Sequence, residues 1–537
     1  MAAAAFWNIF ELRKNVFSYL DEDACIADLA RCARVHSTWT DSALDVLYRG
    51  DTMPKISTEN LRLELGRNTR MTSAIARLPP ARRQKYASRA CLLDLSMFNH
   101  WPLYCRMFNG FQLPRLKGLV VNSEGPLDQY LTEEKEKEDS NWTWLPSTLE
   151  YILICDEARY QPPSLLTGSF LNDIANNCPG LKQVWFKTPS FGLDPADLAR
   201  FFRRIQPREL RLDLGSKIND VLTYDVLSAL SSGGRLETLI IRRARFDGLM
   251  SGYSLGQLYK KHTPAELFAS LHFLDISFSC EAILWALRCF STVTSLRLEL
   301  PGTVDERILV PISTMTQLRV LEFRRDDNGV EPIMPARAFV VLASLSRLNT
   351  LRISGSFKPC YVPGGSYPCV GPVTATATGL VPMTQEVDPD EEDEELHYPG
   401  DWFTESDAAE MFSGLTSLEE LSVDAGGHWF PDFLLQTISE ICPNLKIIEF
   451  RDKISLRQFV GPEAPLFENL REMRVEHVKS DGTSAGQMVG ILSEVAPKLQ
   501  TLVNLRDGYR HGGFGNDVLT AFDESRKSER SSQSRAL

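Results

Sequence analysis

The apolar residues along most of this chain fall into one recurring phrase: two leucine-like residues three positions apart, then a third two positions on. It reads Leu116-x-x-Leu119-x-Val121, Leu149-x-x-Ile152-x-Ile154, Leu181-x-x-Val184-x-Phe186, Leu236-x-x-Leu239-x-Ile241 and Leu271-x-x-Leu274-x-Ile276. It continues through copies starting at Val293, Leu318, Leu348, Leu418, Leu445, Leu470 and Leu499. A weaker copy has Pro207 in first place, and another falls on Ala90, Leu93 and Leu95. The last two apolar positions alternate with polar ones, as in a short strand with one buried face. The intervening segments carry a helical period. Ala196 to Ile205 sets Leu198, Phe201, Phe202 and Ile205 on one face, with Asp194 and Pro195 as N-cap and first turn. Ile283 to Phe290 and Phe433 to Ile441 read the same way.

From Leu116 onward, successive starts are 22 to 35 residues apart, except for one interval of 70. A single strand of this kind cannot bury its face alone, whereas a dozen stacked in parallel share one core. Strand plus helix at this spacing resembles the leucine-rich repeat. The expected fold is therefore α/β: a leucine-rich-repeat solenoid (a horseshoe) over about residues 90–522, with strands lining the concave side. The long interval holds an insertion at about 357–400, rich in Pro, Gly and Thr and ending in the acidic run Glu386 to Glu395. It is expected to be disordered, as either a solvated loop or a lid or docking element. A second charged stretch, Thr132 to Asn141, reads as an exposed loop. Residues 51–89 read as a helical linker, and the Ser/Arg/Glu-rich end, 523–537, as a disordered tail.

The first fifty residues lack the repeat and read as three short helices. Ile9, Leu12, Val16 and Leu20 form the apolar face of the first, Ile26, Leu29 and Ala33 that of the second, and Trp39, Ala43, Leu44 and Leu47 that of the third. A module this small is marginal alone and is expected to dock on the repeats or on a partner. Val16-Phe17-Ser18-Tyr19-Leu20-Asp21, Asp28-Leu29, Val35-x-x-x-Trp39 and Leu44-x-x-Leu47-Tyr48-Arg49 together resemble an F-box, of the divergent F-box-like type common in fungal proteins. The usual opening Leu-Pro-x-Glu stands here as Ile9-Phe10-Glu11-Leu12. Cys178-Pro179-x-Leu181 and Cys442-Pro443-x-Leu445 resemble the helix-to-strand junction of the repeats in F-box leucine-rich-repeat proteins, where proline stops the helix. The resemblance implies a substrate receptor of a Skp1–cullin–F-box ubiquitin ligase. Ile9, Leu12, Val16, Phe17, Leu20, Leu29, Val35, Trp39 and Leu47 would contact a Skp1-like adaptor, and through it a cullin, while the repeats hold an unidentified target protein. The competing expectation is a plain binding scaffold whose N-terminal helices only cap the array.

Composition narrows the chemistry. Of 537 residues, 43% are apolar and 24% charged, and the formal net charge of −12 argues against a general nucleic-acid binder. The 11 cysteines form no C-x-x-C pair and read as reduced core thiols of a cytoplasmic or nuclear protein. No apolar run is long enough to span a membrane, and MAAAAFWNIF lacks the basic start of a signal peptide. No nucleotide-loop, nucleophile-elbow or zinc-protease motif occurs, so no enzyme activity, metal or cofactor is expected.

The outward strand positions are the candidate target surface. They are Trp185 and Lys187, Arg211 and Asp213, Ile240 and Arg242, Asp275, Arg297 and Glu299, Glu322 and Arg324, Arg352, Glu449 and Arg451, and Arg474 with Glu472 and Glu476. Two readings stand side by side. One is a cross-strand ladder of opposite charges that solvates the surface. The other is a binding floor made of Trp185, Arg211, Arg242, Arg297, Arg324, Arg352, Arg451 and Arg474 for an acidic or phosphorylated target.

Overall fold

The computed structural model describes residues 31–32, 34, 37–49, 72, 75–95, 108, 110–122, 142, 144–155, 166–188, 193–214, 218–243, 252–263, 266–300, 306–325, 336–354, 405–424, 433–454, 465–478, 482–505 and 517–527. The chain divides into two compact units: residues 1–301, 310–330 and 347–352, and residues 302–309, 331–346 and 353–537.

In the first unit, strands follow one another in chain order: β1 (Leu92–Asp94), β2 (Gly118–Asn122), β3 (Tyr151–Cys155), β4 (Gln183–Thr188), β5 (Glu209–Leu214), β6 (Thr238–Arg243), β7 (Phe273–Ser277), β8 (Ser295–Leu300) and β9 (Val320–Arg325). Each pairs in parallel with the next. The unit's last residues begin β10 (Thr350–Ser354). The second unit holds a like ladder of β11 (Glu420–Asp424), β12 (Ile447–Ile454), β13 (Glu472–Val478) and β14 (Thr501–Asn504). The weak copies at Ala90 and Pro207 are therefore true repeats, ending in β1 and β5.

The register aligns the repeated apolar positions into rows. Leu93, Leu119, Ile152, Val184, Leu210, Leu239, Leu274, Leu296 and Leu321 form one, all buried. Val121, Ile154, Phe186, Leu212, Ile241, Ile276, Leu298 and Phe323 form the next, also buried. This shared core is what stacking parallel strands supplies. Each junction is also pinned by the backbone. The Lys117 carbonyl accepts from the amides of both Glu150 and Tyr151, and Glu150 in turn accepts from Lys182 and Gln183. In the second unit Glu419 accepts from Lys446 and Ile447 in the same way.

The helices pack by their predicted faces. Pro195–Ile205 buries Leu198, Phe201, Phe202 and Ile205, and the Asp194 carboxylate caps it by accepting from the Ala196 amide at 2.8 Å. Cys280–Cys289 begins three residues earlier than expected, because Ser279 accepts from the Ala282 amide and serves as its N-cap. Phe433–Ile441 matches its expected bounds. At the Cys-Pro-x-Leu junctions, the amide of the leucine closes a turn onto the cysteine carbonyl. The cysteine thiol itself reaches a carbonyl one repeat back, Cys178 to Pro146 at 3.5 Å and Cys442 to Leu415 at 3.7 Å.

The expected C-terminal boundary changes, and three other expectations fall wholly or mostly outside the described residues. The disordered tail expected over 523–537 is helical in its described part: residues 523–527 close a helix over 517–527, with Val518 and Phe522, four residues apart, buried. The insertion at 357–400, the charged stretch at 132–141, the first helix of the N-terminal module and all of the second but the helical residues Arg31, Cys32 and Arg34 lie outside the described residues.

Candidate functional site

Two places carry the candidate chemistry. At the start of the chain, helix Ser37–Arg49 packs on the first unit, burying Ser42, Ala43, Leu44, Asp45 and Val46. Its acidic side chains meet arginines from the beginning of the array. Arg89 bonds Asp41 at 2.6 Å and also pairs with Asp45, which Arg115 reaches at 3.2 Å. Asp45 is only 7% exposed, so this cluster fixes the helix more firmly than a surface pair would. Of the expected adaptor-binding residues, Trp39 lies on this helix and is half-buried. Leu47 belongs to the same helix, with its side chain outside the described residues. Ile9, Leu12, Val16, Phe17, Leu20, Leu29 and Val35 also lie outside them. Sequence reading missed Asp45, Arg89 and Arg115, since nothing in their spacing shows that they meet.

The second place is the strand face opposite the core. Register aligns Val120, Leu153, Trp185, Arg211, Ile240, Asp275, Arg297 and Glu322 in one row across β2 to β9. The row changes character along its length. At its start, Val120, Leu153 and Trp185 join Leu92 in a second buried cluster, so this stretch is not a solvated surface. Trp185 donates its indole N–H to Asp213 at 2.7 Å, and Arg211 bonds the same carboxylate at 2.9 Å. Both side chains of the Arg211–Asp213 pair are less than 10% exposed.

From β6 onward the face is charged and partly open. Asp275 holds Arg242 at 2.7 Å and lies 4.0 Å from Arg324. Glu322 takes Arg324 at 2.6 Å and faces Arg297 at 2.9 Å. In the second unit, Arg474 reaches Glu472 at 2.7 Å and Glu449 at 3.2 Å, which raises its pKa, the Glu472 hydrogen bond contributing most. For Arg324, burial works to lower the pKa, and Glu322 and Asp275 outweigh it to leave it raised. Arg352 sits half-buried on β10, within electrostatic reach of Arg297. Arg451 lies in β12, its side chain outside the described residues.

Arg211, Arg242, Arg324 and Arg474 thus do not form a bare cationic floor. Carboxylates from the same or the next strand interleave with them, the cross-strand arrangement that favours opposite charges on facing positions. Arg297 is the exception. Its Nε stands 2.9 Å from Glu322 Oε2 but off the angle a hydrogen bond needs, and both atoms stay buried without a hydrogen-bond partner. Burial, followed by the neighbouring Arg324 and Arg352, lowers its pKa against the pull of Glu322.

Among the described residues, no group of three His, Cys, Asp or Glu could hold a metal, and no helix is long and apolar enough to cross a membrane.

No family model and no curated protein matches the chain. Several solved structures resemble it. The leucine-rich repeat-containing protein LegL7 from Legionella pneumophila shares 11% identity over 67% of this chain and 95% of that one, with a TM-score of 0.34. The yeast complex of Rad7 and Elc1 gives 15% identity over 90% and 98%, with a TM-score of 0.36. TLR13, in complex with ssRNA13, gives 14% identity over 78% and 52%, with a TM-score of 0.34. At these scores the class of the protein rests on its own register and repeats, and that class is the leucine-rich-repeat protein.

Proposed function

We propose that this chain is the target-binding subunit of a Skp1–cullin–F-box type ubiquitin ligase. The repeats hold the target protein, and the F-box-like helices hold a Skp1-like adaptor. The observation that carries this reading is the docking of helix Ser37–Arg49. The helix bears Trp39, Leu44 and Leu47 of the F-box-like pattern, and Arg89 and Arg115 tie it to the start of the array through Asp41 and Asp45. A receptor works by holding a target lysine close to the charged conjugating enzyme, a gain in effective concentration that a stiff connection preserves and a floppy one dilutes. On this reading the chain supplies no catalytic group. Its buried free thiols suit a reducing compartment, cytoplasm or nucleus. The test is capture of purified Skp1 by the intact chain. Binding that is lost in Trp39→Ala supports the reading, and absence of Skp1 from the intact chain overturns it.

A second reading is favoured by the burial of Ala43 and Val46, which a capping helix would also show. Here the N-terminal helices only close the array. Deleting residues 1–50 separates the two. Aggregated or unfolded repeats point to a cap, whereas folded repeats that no longer capture Skp1 point to an adaptor module.

A further inference from the structure

Within the charged face, one arginine stands apart from its neighbours. Asp275 is already engaged by Arg242, and Glu322 by Arg324. Glu299 is aligned with Arg324 on the adjoining strand. Around Arg297, the like charges of Arg324 and Arg352 stand against the pull of Glu322 and Asp275. Arg297 itself meets Glu322 through Nε only at a poor angle, and its Nη atoms make no hydrogen bond among the described residues. Its guanidinium lies 5.0 Å from the centre of the Phe273 ring, which steadies the plane of the fork. The side chain is 21% exposed, open enough to be reached and dry enough for each new bond to count.

We infer that Arg297, with Arg324 and Arg352 beside it, is a seat for one oxyanion of a bound peptide, either a phosphoryl group or a side-chain carboxylate. This deepens the reading of the repeats as the target-holding part and rests on it. A planar guanidinium with free Nη atoms presents two parallel donors to such a group. Burial and two like-charged neighbours disfavour the charge of Arg297, a cost that an arriving anion offsets. Arg211 and Arg474 lack this vacancy, since Asp213 takes the first and Glu472 with Glu449 the second. Asp275, Glu299 and Glu322 also frame the seat, so it suits one anionic group and repels a continuous polyanion such as nucleic acid.

The test uses the full chain and fluorescence anisotropy. The probes are fluorescein-labelled nonapeptide pools, randomised except for a central phosphoserine, glutamate or serine. The phosphoserine or glutamate pool should bind at least about tenfold more tightly than the serine pool. Phosphoserine ahead of glutamate identifies a phosphoryl group as the source, and the reverse a carboxylate. Arg297→Ala should abolish the difference, and Arg297→Lys, which keeps charge but not the fork, should restore part of it. Arg200→Ala, an exposed helix variant, should bind as the parent does. Equal binding of the three pools overturns the inference. So does unchanged binding in an Arg297→Ala protein of native circular dichroism, or binding of a random single-stranded RNA nonamer in place of the peptides. Skp1 capture is measured on the same proteins. Lost peptide discrimination with Skp1 capture intact sinks this inference alone, and the opposite result sinks the ligase reading alone.

Discussion

The Arg211 guanidinium lies 3.9 Å from the centre of the Trp185 ring, and both side chains bond the one carboxylate of Asp213. Ring and cation lie on neighbouring strands at aligned positions, with the acid two residues beyond the arginine. A surface arginine would be free to turn toward a ligand. This one is committed three ways, by stacking, by ion pairing and by burial.

That commitment sets the first prediction. Removing one member of a buried, hydrogen-bonded charge pair leaves the other unpaired, which costs about 3–5 kcal/mol. Asp213→Ala should therefore lower stability to urea by about 3 kcal/mol, while Trp185→Phe, losing only the indole donor, should cost about 1 kcal/mol. The double variant should cost less than the sum, because both changes break the same network. Additive losses would show that the three residues act independently.

The sequence shows the strands well because a repeat is heard many times. Leu181, Val184 and Phe186 were placed by pattern, and all three are buried. Asp194 and Pro195 marked a helix start by local chemistry alone, and the cap is present. What pattern could not show is contact between residues far apart in the chain. Trp185 and Ile240 stand at outward positions of their strands and yet are buried. The arginine row was open to two readings because choosing between them needs partners, and Glu322 lies 25 residues from Arg297. Helix 517–527 was missed since charged residues surround its two buried apolar side chains, Val518 and Phe522.

A second prediction concerns pH. Burial pushes the thiols of Cys178, Cys289 and Cys442 up to about 12, from an ordinary value of 9.0. Between those values the folded chain keeps protons that the unfolded chain has released. Raising the pH then favours unfolding, by about 1.4 kcal/mol per pH unit for each such thiol. Their stabilising contribution is complete below pH 9 and is lost as the pH climbs towards 12. Urea unfolding in reductant at pH 9.0 and 10.5 measures it. Cys289→Ala should lose about 2 kcal/mol less over that interval than the parent chain. Parallel losses would mean that this thiol is not held neutral by the fold.

The last prediction follows from a glycine that has no room for anything else. Gly414 follows helix Glu405–Ser413 and lies against the 3-10 segment Ala336–Ser344 of the same unit. A methyl group there would stand 1.5 Å from the carbonyl oxygen of Ala343 and 2.4 Å from its carbonyl carbon. Backbone cannot rotate aside as the end of a side chain can, so the helix must shift, at a cost of about 2–3 kcal/mol. Gly490 provides the contrast. It lies exposed inside helix Ala485–Val495, and an added methyl would meet nothing within 4 Å. There alanine restricts the unfolded chain and suits the helix, a gain of about 0.5–1 kcal/mol. The same substitution at two glycines of one unit should thus shift the urea midpoint in opposite directions. If Gly414→Ala is neutral, the helix and the 3-10 segment are not in the close contact described.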